Sequence, residues 1–406
     1  MNDNRNYTPA GQPVTQPLYN GQPVTQPLYN GQPVYTAPQN PAPVQNPTPV
    51  YTYPPQGGNG APVYAQPVQQ PVYYAPVQPP KWADPARLEQ KELRRAASRL
   101  SFATMTSLPI QVLWTTLATL ILTVCGVNFM GPNTIGDFPP TAYYLISSIA
   151  SFLSIVLPFS FFLFFGKRKL SDTVLVEKNG VLNSVLLVFA GLAVSVLMNI
   201  PANLISQLLE GAGLNGDANT ADLLALTPVQ ALTMFVSVVL VAPVTEEFAF
   251  RSVTTAVMRR WGDWPAVIFS ALIFGMAHYS IQSLPVVLTA GFVMALLYVR
   301  TRNIWVNIFV HMLNNLLATL PIALEGLVGA DAANIASNLL TYIVYGLGLI
   351  ALVVLLIRNF TGHKVFRTPM QRGVPVRGKA LWMFVNPGFI CYFVLFVVMC
   401  IVTLYS

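Results

Sequence analysis

The sequence predicts an all-α membrane protein, a polytopic bundle of eight or nine transmembrane helices that follows a disordered, proline-rich N-terminal tail. The 406 residues are 53% hydrophobic and 9% charged, whereas soluble domains carry about 25% charged residues. A helix needs about 20 apolar residues to cross the hydrocarbon of a bilayer. Candidate spans are 109–130, 142–165, 181–203, 229–250, 264–281, 284–300, 303–322, 336–357 and 381–404. The pair 264–281 and 284–300 is short and tightly connected, so the count is eight or nine within a transmembrane domain at 107–406.

The tail, residues 1–80, holds 19 of the 34 prolines, and the ten-residue sequence GQPVTQPLYN occurs there twice in succession. Such a segment lacks the apolar residues that a folded core requires, so it is expected to be disordered with polyproline II character. It serves either as a cytoplasmic tether or as a docking site for a protein partner, where the repeats would add valency.

Residues 84–100 have the pattern of a basic amphipathic helix. Asp84 suits the N-cap, Pro85 suits the first helical position, and Leu88, Leu93 and Leu100 recur near helical spacing. The basic face predicts a helix on the cytoplasmic leaflet in contact with anionic lipid, and a solvated linker helix is the alternative.

Basic residues predict the orientation of the bundle in the cell membrane. All 22 Lys and Arg residues lie before the first span, in alternate connections between the spans or directly at the ends of those connections. By the positive-inside rule the N-terminus is cytoplasmic and the C-terminus extracellular. The net charge of +7 is therefore assigned to orientation and to anionic lipid, and no nucleic-acid partner is predicted.

Four ionisable residues lie inside apolar spans, on three different predicted helices: Glu246, Glu247, His278 and His311. Ionisable groups are costly in a bilayer, so they tend to face the protein interior and to mark function. A single intramembrane histidine is more often a structural hydrogen-bond partner, and a Glu–Arg pair is as often packing or a transporter's proton site. The combination of these groups is what favours catalysis.

Spacings of four residues place further side chains on the same helix faces. Arg251 follows Glu247 by four residues, Phe274 precedes His278 by four, and Asn315 follows His311 by four. A carboxylate can activate water with help from a histidine, and histidine and asparagine can stabilise an oxyanion. Two histidines and a glutamate could instead bind zinc with a water in the fourth position. The zinc ligands would then be Glu246, His278 and His311.

The three motifs EEFAFR (Glu246, Glu247, Arg251), FGMAH (Phe274, His278) and HMLNN (His311, Asn315) resemble the EExxxR, FxxxH and HxxxN/B motifs of the CAAX-protease and bacteriocin-processing (CPBP, or Abi) family. The resemblance covers about 180–322 and implies an all-α membrane fold with the catalytic site inside the bundle. Family members remove the last three residues of prenylated CAAX proteins or are linked to bacteriocin and signal-peptide maturation.

The resemblance implies that Glu246 is the base that activates water, assisted by His278. It implies that His311 and Asn315 are oxyanion donors and that Glu247 and Arg251 orient the site. The family is labelled both as metalloprotease and as metal-free glutamate protease; the Asn315 pairing favours the metal-free form, with no cofactor.

The predicted function is an intramembrane endopeptidase that acts on membrane-associated peptides or proteins entering from the cytoplasmic leaflet. The alternative is a non-proteolytic membrane protein with the same fold, either a proton-coupled transporter or a scaffold. Cleavage that is abolished by Glu246→Gln favours the peptidase, whereas pH-dependent flux or a partner effect that survives this substitution favours the alternative.

Overall fold

The structure, a computed structural model, describes residues 85–127, 134–135, 138–214, 226–363, 365–366 and 378–405, together with four two-residue strands in the tail. The strands pair as antiparallel hairpins, β1 (Leu18–Tyr19) with β2 (Gln22–Pro23) and β3 (Leu28–Tyr29) with β4 (Gln32–Pro33). Each copy of the ten-residue repeat supplies the first strand of one hairpin. The rest of the predicted disordered tail, residues 1–80, lies outside the described residues.

The second compact unit of the chain, Pro76–Ser406, is built of helices. They are α1 (Pro85–Met105), α2 (Ser107–Val124), α3 (Pro140–Phe165), α4 (Val181–Gly211), α5 (Pro228–Trp261), α6 (Asp263–Met276), α7 (Leu284–Thr301), α8 (Ile304–Val328), α9 (Ala330–Phe360), α10 (Lys379–Phe384) and α11 (Pro387–Tyr405).

In the described part of the chain, eight helical stretches are long and apolar enough to cross a membrane, with α1 and α2 forming one of them. The all-α, multi-pass fold predicted from composition is thereby confirmed. The ninth candidate, 264–281, corresponds to α6, which has only 14 residues. At about 1.5 Å per residue this helix reaches about 21 Å, short of the ~30 Å of hydrocarbon.

Helix α6 packs against other helices along one of its sides. Its residues Ala266, Phe269 and Ile273 are wholly buried, and it packs along α7 and against the second half of α5. From α11, the Tyr392 hydroxyl donates a hydrogen bond to the Ile273 carbonyl at 3.1 Å. The other side of α6 is exposed, since Trp264 is 52% and Ile268 42% exposed.

Helix α1 covers the segment for which the sequence predicts a basic interfacial helix. Its apolar side packs against protein, because Leu93 and Leu100 are wholly buried and α1 contacts α11 along its length. The two helices meet closely at Gly388, whose backbone N–H donates to the Ser98 hydroxyl at 3.0 Å. Contact of the remaining basic face with anionic lipid stays a prediction.

Connections that the charge pattern assigns to one side of the membrane meet at one end of the bundle. Arg260, at the end of α5, forms ion pairs with Glu89 at 2.8 Å and Glu92 at 2.7 Å on α1. The loop before α4 bridges the start of α8 through Val176 and Asn303. We call this the basic end of the bundle, and it provides a reference for depth within the membrane.

Candidate active site

The two glutamates lie in α5 between two π-helical segments, Phe235–Val241 and Phe248–Thr255. The sequence allows a kink at Pro243, yet α5 runs as one helical stretch from Pro228 to Trp261. Pro243 is the second residue after the first π segment, and the change of hydrogen-bond register there accommodates its missing N–H. π-helical turns occur frequently at functional sites, and here they determine where the two carboxylates point.

A wholly buried ion pair holds one of the carboxylates. Arg251 Nη1 lies 3.1 Å from Glu247 Oε1, and neither side chain has any exposed surface. The two residues are four apart in sequence, which places them on the same side of the helix. The Arg251 guanidinium also lies over the ring of Phe274, 4.4 Å from its centroid. Both charges are thus compensated in a setting that could not hold either of them alone.

His311 lies between the two glutamates. Its Nδ1 is 2.9 Å from Glu247 Oε1, and its Nε2 is 3.7 Å from Glu246 Oε2. When Nδ1–H donates to Glu247, the Nε2 side of the ring is turned toward Glu246 and toward any bound molecule. The sequence pairs Glu246 with His278, whereas in the structure His311 is the histidine within ion-pair distance of Glu246.

His278 stands just beyond the inner end of α6, beside Phe274. Its Nδ1 lies 3.0 Å from the Phe274 carbonyl oxygen, and the two rings meet edge to face at 5.0 Å. The chain reverses after it at Tyr279, which has the left-handed φ of 50°. Phe274 also contacts the ring of His311 at 5.9 Å. Phe274 therefore holds both histidines and the guanidinium in one cluster.

Asn315 connects α8 to α5, because its Nδ2 donates to the Val238 carbonyl in the first π segment at 2.9 Å. An amide nitrogen has two N–H groups, so one remains for another acceptor. A cavity of about 50 Å³ adjoins the amide, and its lining includes His278, His311 and Asn314. This volume, one of the spaces found among the described residues, admits a small group beside both histidines.

The alternative zinc site was tested against the positions of its three proposed ligands, Glu246, His278 and His311. Among the residues that the structure describes, no three His, Cys, Asp or Glu side chains are grouped closely enough to hold a metal ion. The donor arrangement in this structure therefore does not fit a three-ligand zinc site.

One buried residue next to the site was missed at the sequence level. Asn307, one helical turn before His311, is wholly buried, and its Nδ2 donates to the Met294 carbonyl at 2.6 Å. The available signal was an amide in the apolar run IWVNIFVH, on the same helix face as the histidine. Asn307 connects α8 to α7 directly beneath the cluster.

Comparison with known proteins finds a related family over the same residues. Residues 228–317 match the family described as type II CAAX prenyl endopeptidase Rce1-like, and this segment contains all the site residues named from the motifs. A Bacillus subtilis (strain 168) protein named "Putative membrane peptidase YdiL" is 31% identical over 140 residues, which cover 34% of this chain and 57% of that protein.

The aligned part thus spans little more than half of that relative, and no solved structure matches the chain. The resemblance drawn from the three motifs is confirmed at the level of the family, over the helices that carry the glutamates and His311. The segment that builds the buried Glu–His–Arg cluster, residues 228–317, is therefore similar to the family of type II CAAX prenyl endopeptidase Rce1-like proteins.

Proposed function

We propose that this protein is a membrane-embedded endopeptidase that hydrolyses peptide bonds of membrane-associated peptides or proteins. The observation that carries the proposal is the cluster of Glu246, Glu247, Arg251 and His311, held inside helices of a multi-pass membrane protein. Charged groups are retained at such a depth mainly for function. The Rce1-like match over the same residues supports proteolysis as that function.

Glu246 is the proposed general base. Its side chain is 18% exposed, while its buried Oε2 accepts no hydrogen bond among the described residues. It is thus the more accessible of the two carboxylates. It removes a proton from a water molecule as the water oxygen attacks the carbonyl carbon of the scissile peptide bond. His278, beside the cavity, assists by holding the water or the carbonyl.

Stabilisation of the resulting oxyanion is assigned to His311 and Asn315. The proposed oxyanion donors are the ring of His311, which is held at Nδ1 by Glu247 at 2.9 Å, and the second N–H of Asn315. The tetrahedral intermediate collapses when Glu246 returns its proton to the leaving nitrogen, the C–N bond breaks, and a carboxylic acid and an amine are released.

A metal-free mechanism is proposed on the same grounds, since His311 is held by Glu247 and Asn315 supplies a donor that zinc would not need. The measurement is cleavage by purified protein during a titration with a strong chelator. Activity that survives the titration supports the proposal. Activity that is lost and then restored by added zinc would contradict it.

Orientation and partners are proposed as the charge pattern predicts them. The basic end faces the cytoplasm, anionic lipid contacts it, and the substrate enters from that leaflet. The proline-rich tail serves as a tether, or as a docking site for a protein partner. Deletion of residues 1–80 separates the two roles, because a tether leaves cleavage of a membrane substrate unchanged.

The proposal is tested by incubating the protein, reconstituted in lipid nanodiscs, with a library of membrane-associated peptides. Glu246→Gln removes the base with little change of shape and is expected to abolish cleavage. Glu210→Gln, at the exposed end of α4, is the matched control and should cleave normally. Cleavage that persists in properly folded Glu246→Gln protein would refute the peptidase. Flux or a partner effect that survives the substitution would favour the transporter or scaffold.

A further inference from the structure

Polar side chains continue from the candidate site toward the basic end, through an otherwise apolar bundle. One helical turn below His311 lies Asn307, and its bond to the Met294 carbonyl reaches α7. One turn further along α7 lies Tyr298, whose hydroxyl faces Ser252 of α5. The Tyr298 hydroxyl donates to the Thr173 carbonyl in the loop before α4. We call Asn307, Tyr298, Ser252 and Arg259 the polar seam.

Tyr298 is near charged groups of both the candidate site and the basic end. Its hydroxyl interacts electrostatically with Glu247 and with Arg259. Arg259 forms a buried ion pair with Asp263, Nε to Oδ1 at 2.9 Å, at the basic end. All of these groups are at least nine-tenths buried, so the seam lies between α5, α7 and α8 rather than on the lipid-facing surface.

Several polar atoms along this line have no hydrogen-bond partner among the residues that the structure describes: Glu247 Oε2, Arg251 Nε, Asn307 Oδ1 and one terminal nitrogen of Arg259. Buried polar groups in proteins are almost always satisfied, and where no protein partner exists an internal water is the usual one. Both acceptors and donors occur among these atoms, and a water molecule can satisfy either kind. A lipid chain could not satisfy them.

We propose that the polar seam binds a file of internal water molecules that connects the basic end of the bundle to the Glu247–His311 side of the site. The purpose assigned to it, delivery of the water consumed in hydrolysis, rests on the proposed function. The small cavity beside His278 and Asn315 also adjoins His311.

Radiolytic hydroxyl labelling detects the seam directly, because radicals formed from a bound water modify the side chain next to it. Tyr298 is the reporter and Tyr392 is its matched control, since both are wholly buried and both donate to a backbone carbonyl. In lipid nanodiscs, Tyr298 is expected to be labelled severalfold faster than Tyr392. Equal and slow labelling of the two tyrosines would overturn the proposal.

Substitution of Asn307 tests whether the water next to Tyr298 belongs to the polar seam. Asn307→Leu removes the unpartnered oxygen and is expected to lower labelling of Tyr298 to the level of Tyr392. Asn307→Asp keeps an acceptor, so labelling should persist, and it serves as the second variant if the leucine protein does not fold. Labelling of Tyr298 that is unchanged in Asn307→Leu would contradict the seam as the source of the water.

Measurement of both Tyr298 labelling and peptide cleavage on the same protein separates this inference from the proposed function. Rapid labelling of Tyr298 in wild-type protein that cleaves no peptide would refute the peptidase and leave the water file standing. Peptide cleavage by protein in which Tyr298 is labelled no faster than Tyr392 would refute the water file and leave the peptidase standing.

Discussion

Arg251→Met should destabilise the protein strongly, because it leaves the Glu247 carboxylate buried without its counter-ion. In the structure the two side chains are 3.1 Å apart and have no exposed surface. Removal of one partner from a buried ion pair costs about 3–5 kcal/mol of unfolding free energy. Part of that loss is the contact of the guanidinium with the Phe274 ring at 4.4 Å, worth about 0.5–2 kcal/mol.

A double substitution separates the charge effect from the loss of packing. Arg251→Met with Glu247→Gln removes both charges, so its destabilisation should be smaller than the sum of the two single changes. The coupling energy is expected toward the upper end of the range of about 0.5–3 kcal/mol seen for residues in contact. The control pair is Arg302 and Glu177, which lie 3.4 Å apart with side chains 27% and 36% exposed. Arg302→Met should lose about 0–1 kcal/mol.

The assay is unfolding in mixed micelles by a denaturing detergent, followed through tryptophan fluorescence, with each variant compared at the same lipid composition. The reasoning would be refuted if Arg251→Met lost no more stability than Arg302→Met. It would also be refuted if the double variant lost the full sum of the single changes, because the carboxylate would then not depend on the guanidinium.

Three further outcomes are expected. Gly388→Val should destabilise the contact of α1 with α11, because a Cβ at this position would lie 2.1 Å from the Ser98 carbonyl oxygen; unchanged thermal stability would contradict that contact. Tyr392→Phe should lose about 1 kcal/mol in the same unfolding assay through its hydrogen bond to Ile273, and no loss would show that the bond contributes nothing. Asn315→Leu should lower kcat by about 10²–10³-fold as an oxyanion donor is removed, and a change confined to KM would argue for a binding role.

The transmembrane helices could be predicted from the sequence because a bilayer demands both length and apolar composition. One of the candidate spans is an exception. The apolar run 264–281 continues past the point where α6 ends at Met276. The helix stops because Tyr279 adopts a left-handed conformation, in a position where glycine is the usual signal. A tyrosine gives no such signal in the sequence.

The candidate site residues could be named from the sequence because ionisable groups are rare and costly within apolar spans. Which of these residues contact one another could not be predicted from the sequence. Which histidine adjoins Glu246 depends on the depth of each helix, and the π segment Phe248–Thr255 alters the rise of α5 between Glu246 and the basic end. Hydrophobic periodicity does not reveal π turns, so the contact of His311 with both glutamates appears only in the folded bundle.

The burial of α1 against protein could not be predicted from the sequence either. A basic helix with an apolar face suits a lipid surface as well as a protein surface, and the pattern does not distinguish them. The deciding feature is a close approach at Gly388, almost three hundred positions along the chain. Asn307 was missed for a similar reason, since its partner is a carbonyl on a different helix.

Comparison of the peptides present in cells that carry the wild-type protein with those in cells that carry Glu246→Gln tests the central claim most directly. Full-length membrane-associated peptides or proteins should accumulate with the variant, and their cleaved termini should appear only with the wild type. The Glu210→Gln protein should reproduce the wild-type pattern. Identical peptide termini in wild-type and Glu246→Gln cells, at equal amounts of folded protein, would contradict an intramembrane peptidase built on Glu246.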